Sequence, residues 1–250
     1  MTTVRILDVP IHRLTKQQVL EKIEAYIGSG QPHQIATVNN EFIVEAQHNH
    51  LFKEVLTLAD IAIADSTGVV LAAKLQGVTL VRIPGADLVQ DLARHATQKD
   101  YSLYLLGGAN GVAQTAAKKL TEKFPGLKIV GAEEGVTDKV DVLSKPPQEQ
   151  VGLIIERIRQ AKPDILLVAF GAPKQDLFIE AHKAELGVPV MMGVGGTLDF
   201  LAGKAKRAPK LLRSLGLEWL WRLIREPKRF KRIWRALVIF PLMVIFKGGK

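Results

Sequence analysis

The chain contains no cysteine, which excludes disulfide bonds, thiolate nucleophiles and cysteine-based zinc sites. It also lacks a long hydrophobic run. Met1 to Leu14 has no apolar stretch sufficient for a signal peptide or a membrane span, and the strongly apolar Leu237 to Phe246 is only about half a span. No solenoid repeat or low-complexity tract is present. Acidic residues are scarce at one end. From Lys204 onward, fourteen basic residues face only Glu218 and Glu226, whereas the preceding part holds twenty basic residues against twenty-three acidic ones. The net charge of +9 therefore belongs to the tail. A slightly acidic globule with a basic end points to a polyanionic partner, and says nothing of fold.

What is there reads as α/β. Thr15 is placed to N-cap a helix over Lys16–Ile27. Short apolar runs at Gln34–Val38, Ile61–Ala64, Ser102–Leu106, Lys128–Gly131, Ile165–Ala169 and Val188–Val194 alternate with helical patterns. Strands that are apolar throughout and stop at Gly- or Pro-containing loops are those of a parallel sheet covered on both faces. The expected architecture is Rossmann-like and mostly parallel, with helices on both faces. Val4–Leu14 adds a small edge hairpin. The composition breaks near Gly203, which gives an α/β core over 1–203 and a basic, helical, membrane-associating appendage over 204–250. In that appendage Phe230, Ile233, Trp234, Leu237 and Val238 form one apolar stripe on a helix starting at Pro227, with lysines and arginines around it. Such a helix lies in a membrane interface, or else it packs on the core or on a second subunit.

In open α/β sheets ligands sit beyond the C-terminal strand ends, so the residues there are the candidates. Asp65 follows one strand; taken alone it is either a general base or a helix N-cap. Thr37 and Asn39 end another, as ligands of a substrate or as turn and cap residues. Gly171-Ala172-Pro173-Lys174-Gln175-Asp176 and Gly193-Val194-Gly195-Gly196-Thr197-Leu198-Asp199 follow two more. Gly107-Gly108-Ala109-Asn110-Gly111, between a strand and a helix, suits a phosphate or ribose but lacks the first glycine of the dinucleotide fingerprint. His48-Asn49-His50 has no partner at metal-binding spacing and reads as a polar helix end.

These motifs, with Thr37-Val38-Asn39-Asn40-Glu41, Ala64-Asp65-Ser66-Thr67-Gly68, Pro84-Gly85-Ala86-Asp87-Leu88, Arg207-Ala208-Pro209 and Gly216-Leu217-Glu218-Trp219-Leu220-Trp221-Arg222, resemble the WecG/TagA/CpsF family of bacterial glycosyltransferases over nearly the whole chain. The resemblance implies a catalytic base at Asp65 and sugar-contacting groups at Thr37 and Gln175. It also implies arginines of the appendage, Arg222, Arg229 and Arg232, that stabilise a departing nucleoside diphosphate. Asn39, Arg82, Gly107, Gly108, Asn110, Gly171, Lys174, Gly195 and Asp199 are expected to bind substrate. Where the family has glutamate after the glutamine, this chain has Asp176.

The function this implies is inverting transfer of N-acetylmannosamine, or its uronic acid, from a UDP donor. The acceptor would be a polyprenyl-diphosphate-linked N-acetylglucosamine, in cell-surface polymer synthesis. No Asp-x-Asp of the kind that holds a metal-bound nucleotide diphosphate occurs, so neither metal nor other cofactor is expected. The implied location is cytoplasmic, peripheral on the inner face of the membrane, with homo-oligomers allowed. Two other classes compete. A Rossmann-like oxidoreductase or sensor is disfavoured by the incomplete glycine fingerprint. A nucleic-acid-binding protein is disfavoured because nucleic acid offers nothing to bury Leu237–Phe246.

Overall fold

The computed structural model describes residues 2–136, 141–144, 148–209, 211–212, 216, 218–225, 227 and 230–247. Six parallel strands form the sheet: β3 (His33–Val38), β4 (Ile61–Ala64), β5 (Ser102–Gly107), β6 (Lys128–Glu133), β7 (Ile165–Ala169) and β8 (Val190–Gly193). Their order is β4-β3-β8-β7-β5-β6. Every residue of β4, β5 and β8 is buried, as are nearly all of β3 and β7, which is why these segments read as unbroken apolar runs. The edge strand β6 runs two residues beyond its expected end at Gly131, and its exposure explains the weaker signal.

One face carries α1 (Lys16–Ser29), α5 (Gly85–Lys99), α6 (Val112–Lys123) and α9 (Thr197–Ala202), packed on Ile35, Ile63, Leu103, Leu167 and Met192. The other carries α2 (Asn40–Ala46), α3 (His50–Leu58), α4 (Thr67–Leu75), α7 (Glu149–Ala161) and α8 (Lys174–Leu186). Thr15 caps α1 in a full capping box with Gln18. The antiparallel hairpin of β1 (Thr3–Ile6) and β2 (Val9–His12) shields the edge of β4: the ring of His12 accepts the Ala62 N–H through Nδ1 (2.9 Å). The strands that α2 and α9 follow, β3 and β8, are neighbours, yet these two helices leave to opposite faces. That is the switch point at which a crevice opens beyond the strand ends.

The chain's end folds back onto this crevice. After α10 (Glu218–Arg225) and α11 (Phe230–Trp234), one π-helical turn (Arg235–Ile239) leads into α12 (Phe240–Lys247). Ile233 and Phe240 are buried, and Phe240, Ile239, Met243 and Val244 join the core cluster of α2, α4 and the hairpin. This corrects the single stripe expected of the tail. Phe230 and Trp234 are exposed while their supposed neighbour Ile233 is buried, and the π turn adds a residue per turn that rotates the later positions relative to the earlier ones. Among the described residues, no helix is long and apolar enough to cross a membrane.

Candidate active site

The site begins at the tip of β4. Asp65 does not cap the helix that follows it; the N-cap position of α4 is Ser66, which makes no capping hydrogen bond. Instead Oδ1 of Asp65 accepts the N–H of Gly85 (2.7 Å), the first residue of α5, whose own N-cap, Pro84, has no side-chain acceptor. The carboxylate thus serves α5 from a distance, with the positive end of that helix aimed at it. Gly85 leaves little room here: a Cβ would come within 3.2 Å of the Thr37 methyl, which would have to give way by a few tenths of an ångström. Thr37 itself is buried, with its hydroxyl 3.4 Å from the Gly193 carbonyl at the end of β8.

Gln175 closes the far side. Its side chain is buried and its Oε1 accepts the N–H of Gly195 (2.9 Å), which ties the turn after β7 to the turn after β8. A cis peptide joins Ala172 to Pro173 in that turn. A side chain at Gly193 would overlap the Gln175 amide and lie 2.9 Å from Oδ1 of Asp176, so this glycine is required by close packing.

Asp65, Thr37, Gly85 and Gln175 line a cleft of about 890 Å³ together with Asn39, Arg82, Gly171, Gly195, Asp199, Arg207 and Arg232. Asn39 keeps a capping role as well, accepting the Phe42 N–H at the start of α2 (3.1 Å). Arg82 donates to the Thr67 hydroxyl (3.1 Å). Arg207, its side chain mostly buried, pairs with Asp87 (2.6 Å) and lies near Glu218 (3.8 Å). Burial works against its charge, but the bond to Asp87 and the fields of Asp87, Glu218 and Asp65 outweigh it and push its pKa up. The guanidinium stays charged. Arg207 was not among the residues expected to act, although its Arg-Ala-Pro motif was visible.

The tail supplies one wall. Arg232 pairs with Glu41 of α2 (2.7 Å), and Trp219, Ile233, Ala236 and Leu237 also face the cleft. Asn40 is the clasp: its Nδ2 donates to the Ala236 carbonyl in the π turn (2.8 Å), and its Oδ1 accepts the Ser66 hydroxyl (2.7 Å). Asn40→Ala is expected to leave Ala236 and Ser66 unpaired and to loosen the tail by about 1–3 kcal/mol. Amide hydrogen exchange over Phe240–Lys247 checks this; about tenfold faster exchange is expected there, with the sheet unaffected.

Not every expected residue meets the cleft. Gly107, Gly108 and Asn110 are outside its lining. Gly107 is required by packing, since a Cβ there would lie 2.7 Å from the Ala169 backbone, and the Asn110 carbonyl accepts Lys204 Nζ (2.7 Å). Lys174 opens α8 and does not line the cleft either. Arg222 belongs to α10; its side chain, and the whole of Arg229, fall outside the described residues. His48 and His50 flank the α2–α3 turn, where the Asn49 side chain accepts the Phe52 N–H (3.0 Å).

The match to known proteins spans this cleft and nearly all of the chain. The profile of the Glycosyl transferase WecG/TagA/CpsF family covers residues 4–249. The chain belongs to this family. Members similar to it include the N-acetylglucosaminyldiphosphoundecaprenol N-acetyl-beta-D-mannosaminyltransferases of Staphylococcus aureus strains MW2 and NCTC 8325 / PS 47. Each is 32% identical over 240 residues, which cover 95% of this chain and 90% of the relative. For a WecG/TagA/CpsF glycosyl transferase, the cleft offers one strand-tip carboxylate and several guanidinium groups, enclosed by core on one side and tail on the other.

Proposed function

We propose that the chain transfers N-acetylmannosamine, or its uronic acid, from a UDP donor to N-acetylglucosamine carried on a polyprenyl diphosphate. The observation that carries this reading is that Asp65 shares one cleft with Arg82, Arg207 and Arg232. The relatives are named for transferring a β-linked mannosaminyl group. From an α-linked nucleoside diphosphate sugar, a β product requires inversion, and hence a single displacement. The acceptor hydroxyl attacks the anomeric carbon, its proton passes to the Asp65 carboxylate, and the bond from the anomeric carbon to the diphosphate breaks on the opposite face. Guanidinium groups meet the charge that grows on the departing diphosphate. Thr37, Gln175 and Asn39 would hold the sugars, and Asp199 the base or ribose of the donor. The glycine turns at Gly171 and Gly195 leave backbone open to the donor. Gly107, Gly108 and Asn110, one strand over, would serve its nucleotide end. Lys174, Arg222 and Arg229 complete the proposed set of charged groups. The acceptor's lipid would hold the work at a membrane surface, with the basic tail on anionic lipid, and a UDP donor would set it on the cytoplasmic face.

The reading is tested by UDP release from a panel of UDP-sugars with a lipid-diphosphate-linked N-acetylglucosamine acceptor. Release is expected with UDP-N-acetylmannosamine or its uronic acid and not with UDP-glucose; the reverse preference overturns it. Because arginines are assigned the leaving-group charge, turnover in excess EDTA is expected to match turnover in added magnesium. A loss of activity in EDTA that magnesium restores would transfer that role to a cation.

A further inference from the structure

The cleft does not end at its polar floor. It runs outward between α4 and the tail, and its character changes along the way. On α4, Thr67, Leu71 and Leu75 recur at intervals of four and so share one face of the helix. The first of these touches Arg82 beside Asp65, and the last stands about 12 Å further along the axis at 1.5 Å per residue. Leu71 is 56% exposed and Leu75 is 74% exposed, although both line the cleft. On the facing tail, Leu237, Pro241 and Ile245 recur at the same interval, and Ile245 is 65% exposed. Two apolar stripes therefore flank one channel that starts at a carboxylate among arginines and opens to the outside. Water is a poor occupant for such a channel.

We propose that this channel is the lane of the acceptor's prenyl chain: Leu71 and Leu75 of α4 on one wall, Leu237, Pro241 and Ile245 of the tail on the other. The inference rests on the reading that the acceptor is a lipid diphosphate, and adds where its lipid lies and which helix reads it. The occupant follows from the order of groups along the cleft. A sugar hydroxyl must reach Asp65 while the arginines hold the departing donor diphosphate, so the lipid beyond the acceptor's own diphosphate leaves the cleft along its apolar side, past Leu71, Leu75, Leu237, Pro241 and Ile245. A nucleotide or a second sugar, being polar, has no partners there. The arrangement also explains why α4 keeps two leucines in the open on the face next to the site.

The test compares acceptors that share the N-acetylglucosamine diphosphate and differ in lipid, a full-length polyprenyl chain against a two-isoprene one, in detergent micelles, with the full chain. For the parent protein, kcat/KM for the long acceptor is expected to exceed that for the short one at least tenfold, mostly through KM. In Leu71→Ser/Leu75→Ser, that ratio is expected to fall about tenfold or more, towards unity, while Leu71→Met/Leu75→Met keeps it. A ratio unchanged by the serine pair, with transfer still running on both acceptors, overturns the lane. So does a long-chain preference lost only on vesicles and kept in micelles, which would make these leucines a membrane-docking surface. Absence of transfer to either acceptor from the parent protein would instead sink the underlying reading of the reaction.

Discussion

Asp65→Asn is expected to lower kcat by about 10² to 10⁴, the range in which a positioned general base contributes. Binding of UDP and the melting temperature should both stay close to those of the parent. The separation of the two effects comes from the hydrogen bond to Gly85. Asparagine keeps an acceptor oxygen in the same place, so the N–H at the start of α5 remains paired and the strand tip holds its shape. What asparagine lacks is an electron pair basic enough to take the acceptor hydroxyl's proton. Asp65→Ala tests the other half of this argument. It removes base and cap together, so it should lose catalysis and about 1–3 kcal/mol of stability, since the Gly85 N–H is left without its acceptor. Rate measurements with saturating donor, paired with thermal melts of both variants, decide the matter. Normal turnover by Asp65→Asn would remove Asp65 from the chemistry, and an equal loss of stability in both variants would show that its oxygen is not what α5 depends on.

The frame that positions Asp65 was legible in the sequence because it rests on local rules. Ile61–Ala64 and Ile165–Ala169 could be placed as strands since each is apolar on both faces and halts at a turn, and a carboxylate just past such a halt lies at a strand tip in any parallel sheet. Gln175 was found by the same logic. Arg207 was not, because its place depends on the chain after Gly203 returning to the core, where Asp87 and Glu218 hold it. No local period announces that return. It is set by Asn40 reaching a carbonyl 196 residues away, and by a π turn that a strict 3.6-residue count passes over. The glycines at 107 and 108 are ambiguous for a different reason. A loop that cradles phosphate and a strand end that packs closely on its neighbour both demand residues without Cβ, and in the sequence the two look the same.

Asp176→Asn is expected to stabilise the protein above neutral pH and to flatten its stability between about pH 4 and 7. Asp176 is fully buried behind Gly193 and beside Gln34, whose amide donates to the Asp176 backbone carbonyl (3.2 Å). Burial raises its carboxyl from the ordinary 3.8 to about 7. The Gln175 amide and the residue's own N–H oppose that rise, but neither carboxyl oxygen gains a partner in good geometry among the described residues. Below pH 3.8 the group is protonated whether the chain is folded or not, and its burial is tolerated as a neutral acid. As pH rises towards 7 the unfolded chain releases the proton while the folded chain retains it, so the folded state binds more protons and loses stability with each step. Above 7 the loss is complete, and a carboxyl raised from 3.8 to about 7 then costs the folded state about 4 kcal/mol. Asparagine cannot ionise and escapes this cost. It does bring a second N–H into a site poor in acceptors, so at pH 4 the variant should be equal to the parent or slightly weaker, and at pH 8 stronger. Denaturant melts across this range should therefore cross. Parallel curves, offset by the same amount at pH 4 and pH 8, would show that Asp176 does not hold its proton in the folded chain and that the tip of β8 rests on a charge after all.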